Sequence, residues 1–386
     1  MSLKQKTISG MFWTFAQQFG SQTISFAVSL ILARILLPSD FGTIAVFSVL
    51  MGIGGVLINS GLTNSLIRTQ NVDDSDLSTV FYFNFAVSII VYGLIVITAP
   101  FVANFFNMPE LTKIIRLYAI SLPIGAFSTI QVTLLTKKMD FKTQLKVQLP
   151  SLIIGGISGI IFALTGFGVW SLVYMAIIQS VLSSLQYWLY SKWRPKKVFD
   201  KNKFKFHFNF GYKLALSGLI NIIFQNIYTI IIGKLFSANQ LGFYNKAHSL
   251  QQLPITSITG PLNKVTYPLF AEIQDDNERL KNVYRRLMKT VIFITAPLLT
   301  IMGVLGEPMI RFLFTEKWLP AVPYFQILCI SGILYPIHVY NLNILQVKGR
   351  SDLFLKLEII KKIAIVVVVS ISFRFGIIGL LWGQVA

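Results

Sequence analysis

Two apolar segments about 200 residues apart each carry a line of amide and hydroxyl side chains. The first stripe consists of Gln18, Gln22, Ser25 and Ser29, and the second of Ser217, Asn221, Gln225 and Tyr228. Residues three or four apart share one face of a helix, so each stripe would present its donors and acceptors along one line. Such groups suit many hydrogen bonds to sugars or water, which indicates a cavity lining. Alternatively, they bond neighbouring helices, a common use of polar groups in membranes.

Further polar groups lie near the ends of other apolar segments. They are Asn59, Asn64, Lys246, His248, Gln251 and Gln252. The segment that holds the last four is polar enough to face protein or water. His248 is interpreted either as a structural, hydrogen-bonded histidine or as a proton carrier. Asn59 could equally be a helix cap or a lining group.

Arg34 and Lys234 occupy equivalent places in the two segments. Arg34 shares a helical face with small residues such as Gly20 and Ala27 and lies off the stripe of Gln18. The small residues predict close packing, so Arg34 is expected to point into protein near the outer rim, where it anchors the helix or contacts a head group. Lys234 has an aliphatic face and is interpreted as a snorkelling anchor.

The distribution of carboxylates discriminates between kinds of chemistry. All fifteen Asp and Glu residues fall in predicted loops or at predicted helix ends. Transporters that exchange cations for protons or sodium generally need an acid within the membrane, so the pattern favours a neutral or anionic substrate. The single cysteine, Cys329, allows no internal disulfide. There is no HExxH motif or cysteine cluster, so we predict no metal and no cofactor.

The composition requires these residues to lie in a membrane. Of the 386 residues, 54% are hydrophobic and 13% charged, and the mean hydropathy is +0.66. A membrane-spanning helix needs about 20 apolar residues, and eleven such runs are found between Phe12 and Phe373. A twelfth run starts at Ile377 and ends at Ala386, and its rise of about 15 Å is half of the hydrocarbon core. We therefore expect a truncated twelfth helix and a natural chain that continues.

The net charge is +19, and the basic residues are distributed unevenly between the two sides of the predicted helices. With the N-terminus in the cytoplasm, 26 of the 34 Lys and Arg residues fall on the inner side. The positive-inside rule therefore predicts a multi-pass membrane protein with a cytoplasmic N-terminus. Contact with anionic lipid explains the basic loops better than binding of nucleic acid does.

The 200-residue offset extends along the chain and defines its domains. Pro100 matches Pro308, and similar basic segments begin at Leu134 and Ile344. We predict an N-terminal six-helix bundle at 1–190, a basic cytoplasmic linker at 191–211 and a C-terminal bundle at 212–386 that is incomplete at its end. Each half has an even number of helices, so both halves enter the membrane in the same direction. A substrate path is expected at the interface of such repeats. Phenylalanines alternate with polar residues over 204–210, which indicates an amphipathic piece or a short strand on the membrane surface.

Two glycine-containing stretches are predicted to serve packing and turning. GISG begins at Gly156 and TGFGVW at Thr165. Neither follows a strand, so a nucleotide-binding loop is not indicated. The first is expected to allow close helix packing and the second a tight outer turn.

Four stretches carry a family resemblance that spans nearly the whole chain. They are LARILLPSDFG, LGFYNKAHSLQQLP from Leu241, PLNKVTYPLFAEIQDD from Pro261 and GEPMIRFLFTEKWLPAVPYFQIL from Gly306. They resemble the bacterial polysaccharide exporters, which flip lipid-linked oligosaccharides such as O-antigen repeats and belong to the superfamily of the multidrug and toxin extrusion (MATE) transporters.

The resemblance implies an all-α polytopic membrane protein with two parallel-related six-helix bundles around a central cavity. It implies transport of an undecaprenyl-diphosphate-linked oligosaccharide from the cytoplasmic to the outer leaflet of the bacterial inner membrane by alternating access. A polysaccharide polymerase and chain-length machinery are the implied partners. Arg34 and Lys246 match the cationic groups proposed for the cavity of such proteins.

Two other functions compete with this one. A MATE-like drug or metabolite antiporter is opposed by the missing intramembrane acids. An enzyme such as a polymerase is disfavoured, because no loop exceeds roughly 25 residues and a soluble domain needs at least about 50. The predicted substrate-binding set is Arg34, Gln18, Gln22, Asn59, Asn221, Gln225, Lys246, His248 and Gln252.

Overall fold

The computed structural model describes residues 3–59, 61–348 and 350–385. Within these ranges it leaves out the side chains of residues 3–11, 260, 261, 263–265, 267–269, 271, 272, 336, 338, 339, 342, 343, 346, 351 and 354. The regular structure of these ranges is helical throughout, with no strand. Internal packing divides the chain into two compact units, Met1–Ala238 and Asn239–Ala386.

Unit 1 contains eleven helices within the described residues. They are α1 Leu3–Ile35, α2 Pro38–Asn59, α3 Leu62–Arg68, α4 Asp74–Phe105, α5 Leu111–Tyr118, α6 Ser121–Phe127, α7 Thr129–Lys137, α8 Phe141–Leu164, α9 Val169–Tyr190, α10 Lys201–Gln225 and α11 Ile227–Leu235. Aspartates begin several of them: the carboxylates of Asp73 and Asp200 each accept from two backbone N–H groups, of α4 and α10, and that of Asp140 accepts from one of α8. An acceptor at this position satisfies N–H groups that have no partner within the helix.

Unit 2 contains the remaining helices of the described chain. They are α12 Ala238–Glu272, which begins where the units divide, α13 Asn277–Val304, α14 Gly306–Phe314, α15 Val322–Val347, α16 Ser351–Ser372 and α17 Gly376–Val385, with 3₁₀ helices at Glu316–Ala321 and Phe373–Phe375. Trp318 is fully buried beside the rings of Phe243 and Phe314. This aromatic group joins α12, α14 and the first 3₁₀ helix.

The described part of the chain holds seven helices that are long and apolar enough to cross a membrane, or nine if each of two bent pairs is one span. Helices α1 and α12 are not among them, although both overlap predicted runs. They carry the polar stripe and the Lys246 to Gln252 group, which lower their hydropathy. The predicted eleventh and twelfth runs correspond to α16 and α17, which together count as one candidate span, Leu355–Val385. The chain is thus a multi-pass membrane protein.

Two predicted spans are bent rather than continuous. The run from Leu117 to Leu135 bends by 44° between α6 and α7, and the run from Tyr212 to Leu235 bends by 48° between α10 and α11. At the second bend, the side chain of Asn226 donates to the carbonyl oxygen of Ile222 at 2.8 Å. Side chains that bond their own backbone compete with the helical ladder and bend helices.

Glycines on α8 allow the close packing that was predicted. A Cβ atom at Gly156 would lie 2.5 Å from Cγ2 of Val28 on α1, and one at Gly159 would lie 2.9 Å from Cβ of Met175 on α9. These distances are too short for real side chains. The turn between α8 and α9 contains Gly166 and Gly168 at φ of 87° and 53°, a region that favours glycine. The predictions of close packing at Gly156 and of a tight turn at Gly166 and Gly168 are confirmed.

The region of the predicted linker has two parts. Residues 191–200 are irregular, and α10 begins at Lys201, so the alternating phenylalanines form a helix rather than a strand. Phe204 and Phe208 contact the ring of Phe83 on α4, whereas Phe206 is exposed. Helix α10 packs against α2 and α3 of the same unit. The domain boundaries at 190 and 212 stay a prediction.

Candidate functional site

The first polar stripe lies partly on a cavity of unit 1. Ser25 and Ser29 line a cavity of about 240 Å³ among α1, α2, α8 and α9, together with Gln179 and mostly apolar side chains. Gln18 and Gln22 are half-buried. Helix α8 is contacted by the neighbouring Gln17, whose Nε2 donates to Oε1 of Gln148 at 2.7 Å. A bond between α1 and α8 is therefore made directly beside the stripe.

The second stripe is not one continuous line. Asn221 and Gln225 are exposed on α10, as is Ser217. Tyr228 follows the bend at Asn226 and is buried in α11. The predicted stripe is therefore wrong at Tyr228, because the bend breaks the regular 100° stepping on which the prediction depends. Asn59, at the end of α2, is exposed as well.

The cation of Lys246 lies against aromatic rings of unit 2. The residue is buried, and its Nζ is 4.6 Å from the centroid of the Phe314 ring and 5.7 Å from that of Trp318. A cation over ring faces is held by the negative quadrupole of the rings, and desolvation strengthens this attraction. Lys246 therefore fastens α12 to the aromatic group around Trp318.

The other polar groups of α12 have different surroundings. His248 is half-buried, its ring is stacked on Tyr244 with centroids 5.8 Å apart, and its Nε2 lies 3.5 Å from Nε2 of Gln252. Gln251 is buried against Gly332 of α15. Its Oε1 has no hydrogen-bond partner among the described atoms. Lys246 and Gln251 thus face protein, whereas His248 and Gln252 are partly accessible.

Arg34 and Lys234 do not play equivalent roles. Lys234 Nζ donates to the carbonyl oxygen of Phe105 at 2.6 Å and lies 4.7 Å from the centre of its ring. This carbonyl ends α4, where a cation offsets the helix dipole, so the contact supports an anchoring role. Arg34 is exposed in the last turn of α1, and the prediction that it points into protein is wrong. Helix α8 packs against a neighbouring face of α1, the one that carries Val28.

A buried histidine that the sequence analysis did not single out connects α10 to α3 and α4. His207 is 0% exposed; its Nδ1 lies 2.8 Å from Oγ of Ser65, and its Nε2 lies 3.2 Å from Oδ1 of Asp76. Nε2 is the natural donor to the carboxylate, which leaves Nδ1 to accept from the hydroxyl. Ser65 is buried, which fits a structural rather than a nucleophilic role.

Charged contacts surround this histidine, and we call the whole group the inner clamp: Ser65, Asp73, Asp74, Asp76, Lys196, Lys203 and His207. Lys203 Nζ lies 2.5 Å from Oδ2 of Asp73 and 3.3 Å from Oδ2 of Asp76, and Lys196 Nζ lies 2.7 Å from Oδ2 of Asp74. The bond from Lys203 holds the pKa of Asp73 well below its usual range. The bond to Asp74 raises the pKa of Lys196.

Backbone contacts complete the attachment of residues 191–200 to α4. The N–H of Lys196 donates to Oγ of Ser78, and the N–H of Asp200 donates to Oγ1 of Thr79, both at 3.0 Å. The segment between α9 and α10 is therefore fixed to the start of α4. The acidic run of residues 73–76 and the basic segment of residues 192–213 were visible in the sequence, and their opposite charge was the signal that could have paired them.

The fold is that of the MATE-like transporters. A solved multidrug resistance MATE family transporter of the MOP superfamily aligns with a TM-score of 0.68 and 19% identity, over 95% of this chain and 90% of its own. The lipid II flippase MurJ aligns with a TM-score of 0.71 and 15% identity, over 97% of this chain and 84% of its own. At these identities the similarity establishes the fold alone.

The sequence identifies the family. The protein family described as polysaccharide biosynthesis protein matches residues 31–323, and the chain belongs to this family. Teichuronic acid biosynthesis protein TuaB of Bacillus subtilis is 28% identical over 77% of this chain. Lipopolysaccharide biosynthesis protein WzxC of Escherichia coli is 24% identical over 99% of it. The chain spans 62% of the length of TuaB and 78% of that of WzxC.

Proposed function

We propose that this protein flips a polyprenyl-diphosphate-linked oligosaccharide across the bacterial inner membrane for surface polysaccharide export. Its family and the names of TuaB and WzxC concern polysaccharide biosynthesis. A further relative, succinoglycan biosynthesis transport protein ExoT of Rhizobium meliloti, is named for transport and is 25% identical over 84% of this chain. MurJ, a lipid II flippase, has the same fold.

The observation that carries this proposal is the position of the acids in a chain of this fold. The described carboxylates lie in connecting segments or near helix ends. Glu358 lies furthest into a helix, as the eighth residue of α16, where its Oε1 is 2.5 Å from Nζ of Lys361. An exchanger of organic cations needs an acid within the membrane. A diphosphate and a neutral sugar chain instead need cations and hydrogen-bond donors.

The binding residues belong to the proposal. Exposed Arg34 would contact the diphosphate, and Gln18, Gln22, Asn221 and Gln225 would hydrogen-bond to the sugars. Lys246, held by its rings, would supply positive potential rather than direct contact. The lipid tail would stay in the bilayer while the head group crosses by alternating access.

The topology and partners are proposed on separate grounds. The uneven distribution of Lys and Arg among the connecting segments supports a cytoplasmic N-terminus. The product would be lipid-linked repeats at the outer leaflet, so a polysaccharide polymerase and its chain-length machinery would act next.

Deletion of the gene tests the function. Lipid-linked repeats should accumulate on the cytoplasmic face, and surface polysaccharide should be lost. Normal surface polysaccharide in the deletion strain would contradict the proposal.

Arg34→Lys tests the head-group contact in liposomes that contain the protein and a labelled polyprenyl-diphosphate oligosaccharide. Lysine keeps the charge but not the two-pronged geometry of arginine, so flipping should fall by about tenfold, the equivalent of roughly 1.4 kcal/mol. Lys113→Arg, at an exposed site on α5, serves as the control. Full activity of Arg34→Lys would mean that Arg34 only anchors α1.

A MATE-like antiporter is the second candidate, because the alignment with a MATE transporter covers almost the whole chain. Drug efflux driven by a proton or sodium gradient in the same liposomes would favour it. Flipping of the labelled lipid without such efflux would exclude it.

A further inference from the structure

Unit 2 carries an open groove between α13 and α15. Its volume is about 780 Å³, and it is lined by Arg285, Met288, Lys289, Ile292, Phe293 and Ile337. Tyr284 closes one end, where its hydroxyl donates to Oδ1 of Asn341 on α15. This bond fixes the distance between the two helices beside the groove. None of these residues belongs to the substrate-binding set proposed above.

Two cations occupy the polar end of the groove. Arg285 and Lys289 are four residues apart on α13, so they lie on one face with an axial separation of about 6 Å. Both are exposed, and among the residues that the structure describes neither is in an ion pair. The described residues that line the groove include no carboxylate. The site therefore presents two adjacent positive charges that suit an anion.

The rest of the groove is apolar. Phe293 follows Lys289 by one turn and is 79% exposed, and Ile292 and Met288 continue the surface toward Ile337. The change from charged to apolar occurs within two turns of α13. A soluble anion would use only the charged end, whereas a lipid would use both parts.

The position along α13 matches the head-group layer of a membrane. The helix starts at Asn277 and becomes a candidate span toward Val304. In the orientation proposed above, Asn277 is on the cytoplasmic side, where anionic lipids make the surface negative. Lysine and arginine at this depth attract anionic head groups, and basic pockets between membrane helices bind them.

We propose that this groove binds one anionic phospholipid of the inner leaflet. Its phosphate lies between Arg285 and Lys289, and one acyl chain follows Met288, Ile292 and Phe293 along the wall formed by Ile337. The site is specific for an anionic head group on a lipid, not for phosphate alone.

Binding of phosphatidylglycerol to the purified full chain in detergent tests the proposal, with native mass spectrometry and thermal stabilisation as readouts. The double variant Arg285→Gln/Lys289→Gln should bind phosphatidylglycerol at least about tenfold more weakly, since each cation contributes to the attraction. The matched control, Arg279→Gln/Lys281→Gln, removes the same charge from exposed positions of α13 outside the groove and should bind normally. The exchange Arg285→Lys/Lys289→Arg keeps both charges and should keep binding.

Three results would overturn the proposal. The first is an equal loss of phosphatidylglycerol binding in Arg285→Gln/Lys289→Gln and in the control Arg279→Gln/Lys281→Gln. The second is that the unchanged protein binds phosphatidylcholine as well as phosphatidylglycerol. The third is that inorganic phosphate alone stabilises the protein as much as phosphatidylglycerol does. Phe293→Ser tests the acyl contact, and it should weaken binding of phosphatidylglycerol without creating binding of phosphatidylcholine. None of these measurements depends on transport, so the lipid site and the flippase proposal can fail separately.

Discussion

The inner clamp yields a quantitative prediction about stability. His207 has no exposed surface and contacts the hydroxyl of Ser65 and the carboxylate of Asp76. Replacing it with alanine removes both hydrogen bonds and leaves two poorly solvated oxygens on α3 and α4. A buried polar group that loses its partner costs about 1 to 3 kcal/mol, and more if it is charged. We therefore expect His207→Ala to lower the free energy of unfolding by about 3 to 5 kcal/mol.

A double-mutant cycle isolates the contact between the imidazole and the carboxylate. Asp76→Ala also removes the contact with Lys203 and the acceptor for the N–H of Asp73, so its own effect should be large. The coupling energy with His207→Ala should nevertheless be about 1.5 to 3 kcal/mol, the range for a hydrogen bond to a charged group.

Reversible unfolding in detergent micelles, followed by tryptophan fluorescence, gives these free energies. Lys205→Ala is the matched control, because Lys205 is exposed on the same helix two residues away; it should change stability by less than about 0.5 kcal/mol. A coupling energy below about 0.5 kcal/mol would refute the bond between His207 and Asp76. Equal effects of His207→Ala and Lys205→Ala would refute the burial of His207.

Two further predictions concern the helix packing at Gly156 and the contact of Lys234 with the end of α4. Gly156→Ala should lower the melting temperature, because its methyl group would lie 2.5 Å from Cγ2 of Val28 and overpacking costs about 1 to 3 kcal/mol; Gly125→Ala, with open space at its Cβ, should not lower it. Lys234→Met should cost about 1 kcal/mol through the lost bond to the Phe105 carbonyl, and thermal unfolding should show Lys234→Arg to be milder; equal losses would argue against that bond.

Much of the fold follows from local features of the sequence. Apolar length and charge placement predicted a polytopic helical protein, because every backbone group in a bilayer must find its partner within a helix or closed sheet. The glycines at 156, 166 and 168 were assigned correctly to packing and turning. A residue without a side chain allows close approach of a neighbouring helix, and it also adopts the positive φ of a tight turn. Motif resemblance predicted the family, which the match over residues 31–323 confirms.

The candidate site was predicted less completely. Periodicity assigns residues to a shared face only on the assumption that the helix stays straight. The bend at Asn226 separates Tyr228 from the residues before it. The sequence also did not predict that Arg34 is exposed. Small residues on a helical face allow another helix to pack there, but they do not show that a helix packs there.

What the sequence by itself determined is the helical, membrane-embedded character and the family of this protein. These depend on composition and on residues within one helix or one turn of each other. Only the tertiary structure decided that His207 joins Ser65 across 142 residues, that Lys246 lies over Phe314, and that Arg285 and Lys289 end an apolar groove. Such contacts arise from the approach of distant helices, and one helix's pattern does not specify which face of its neighbour it meets.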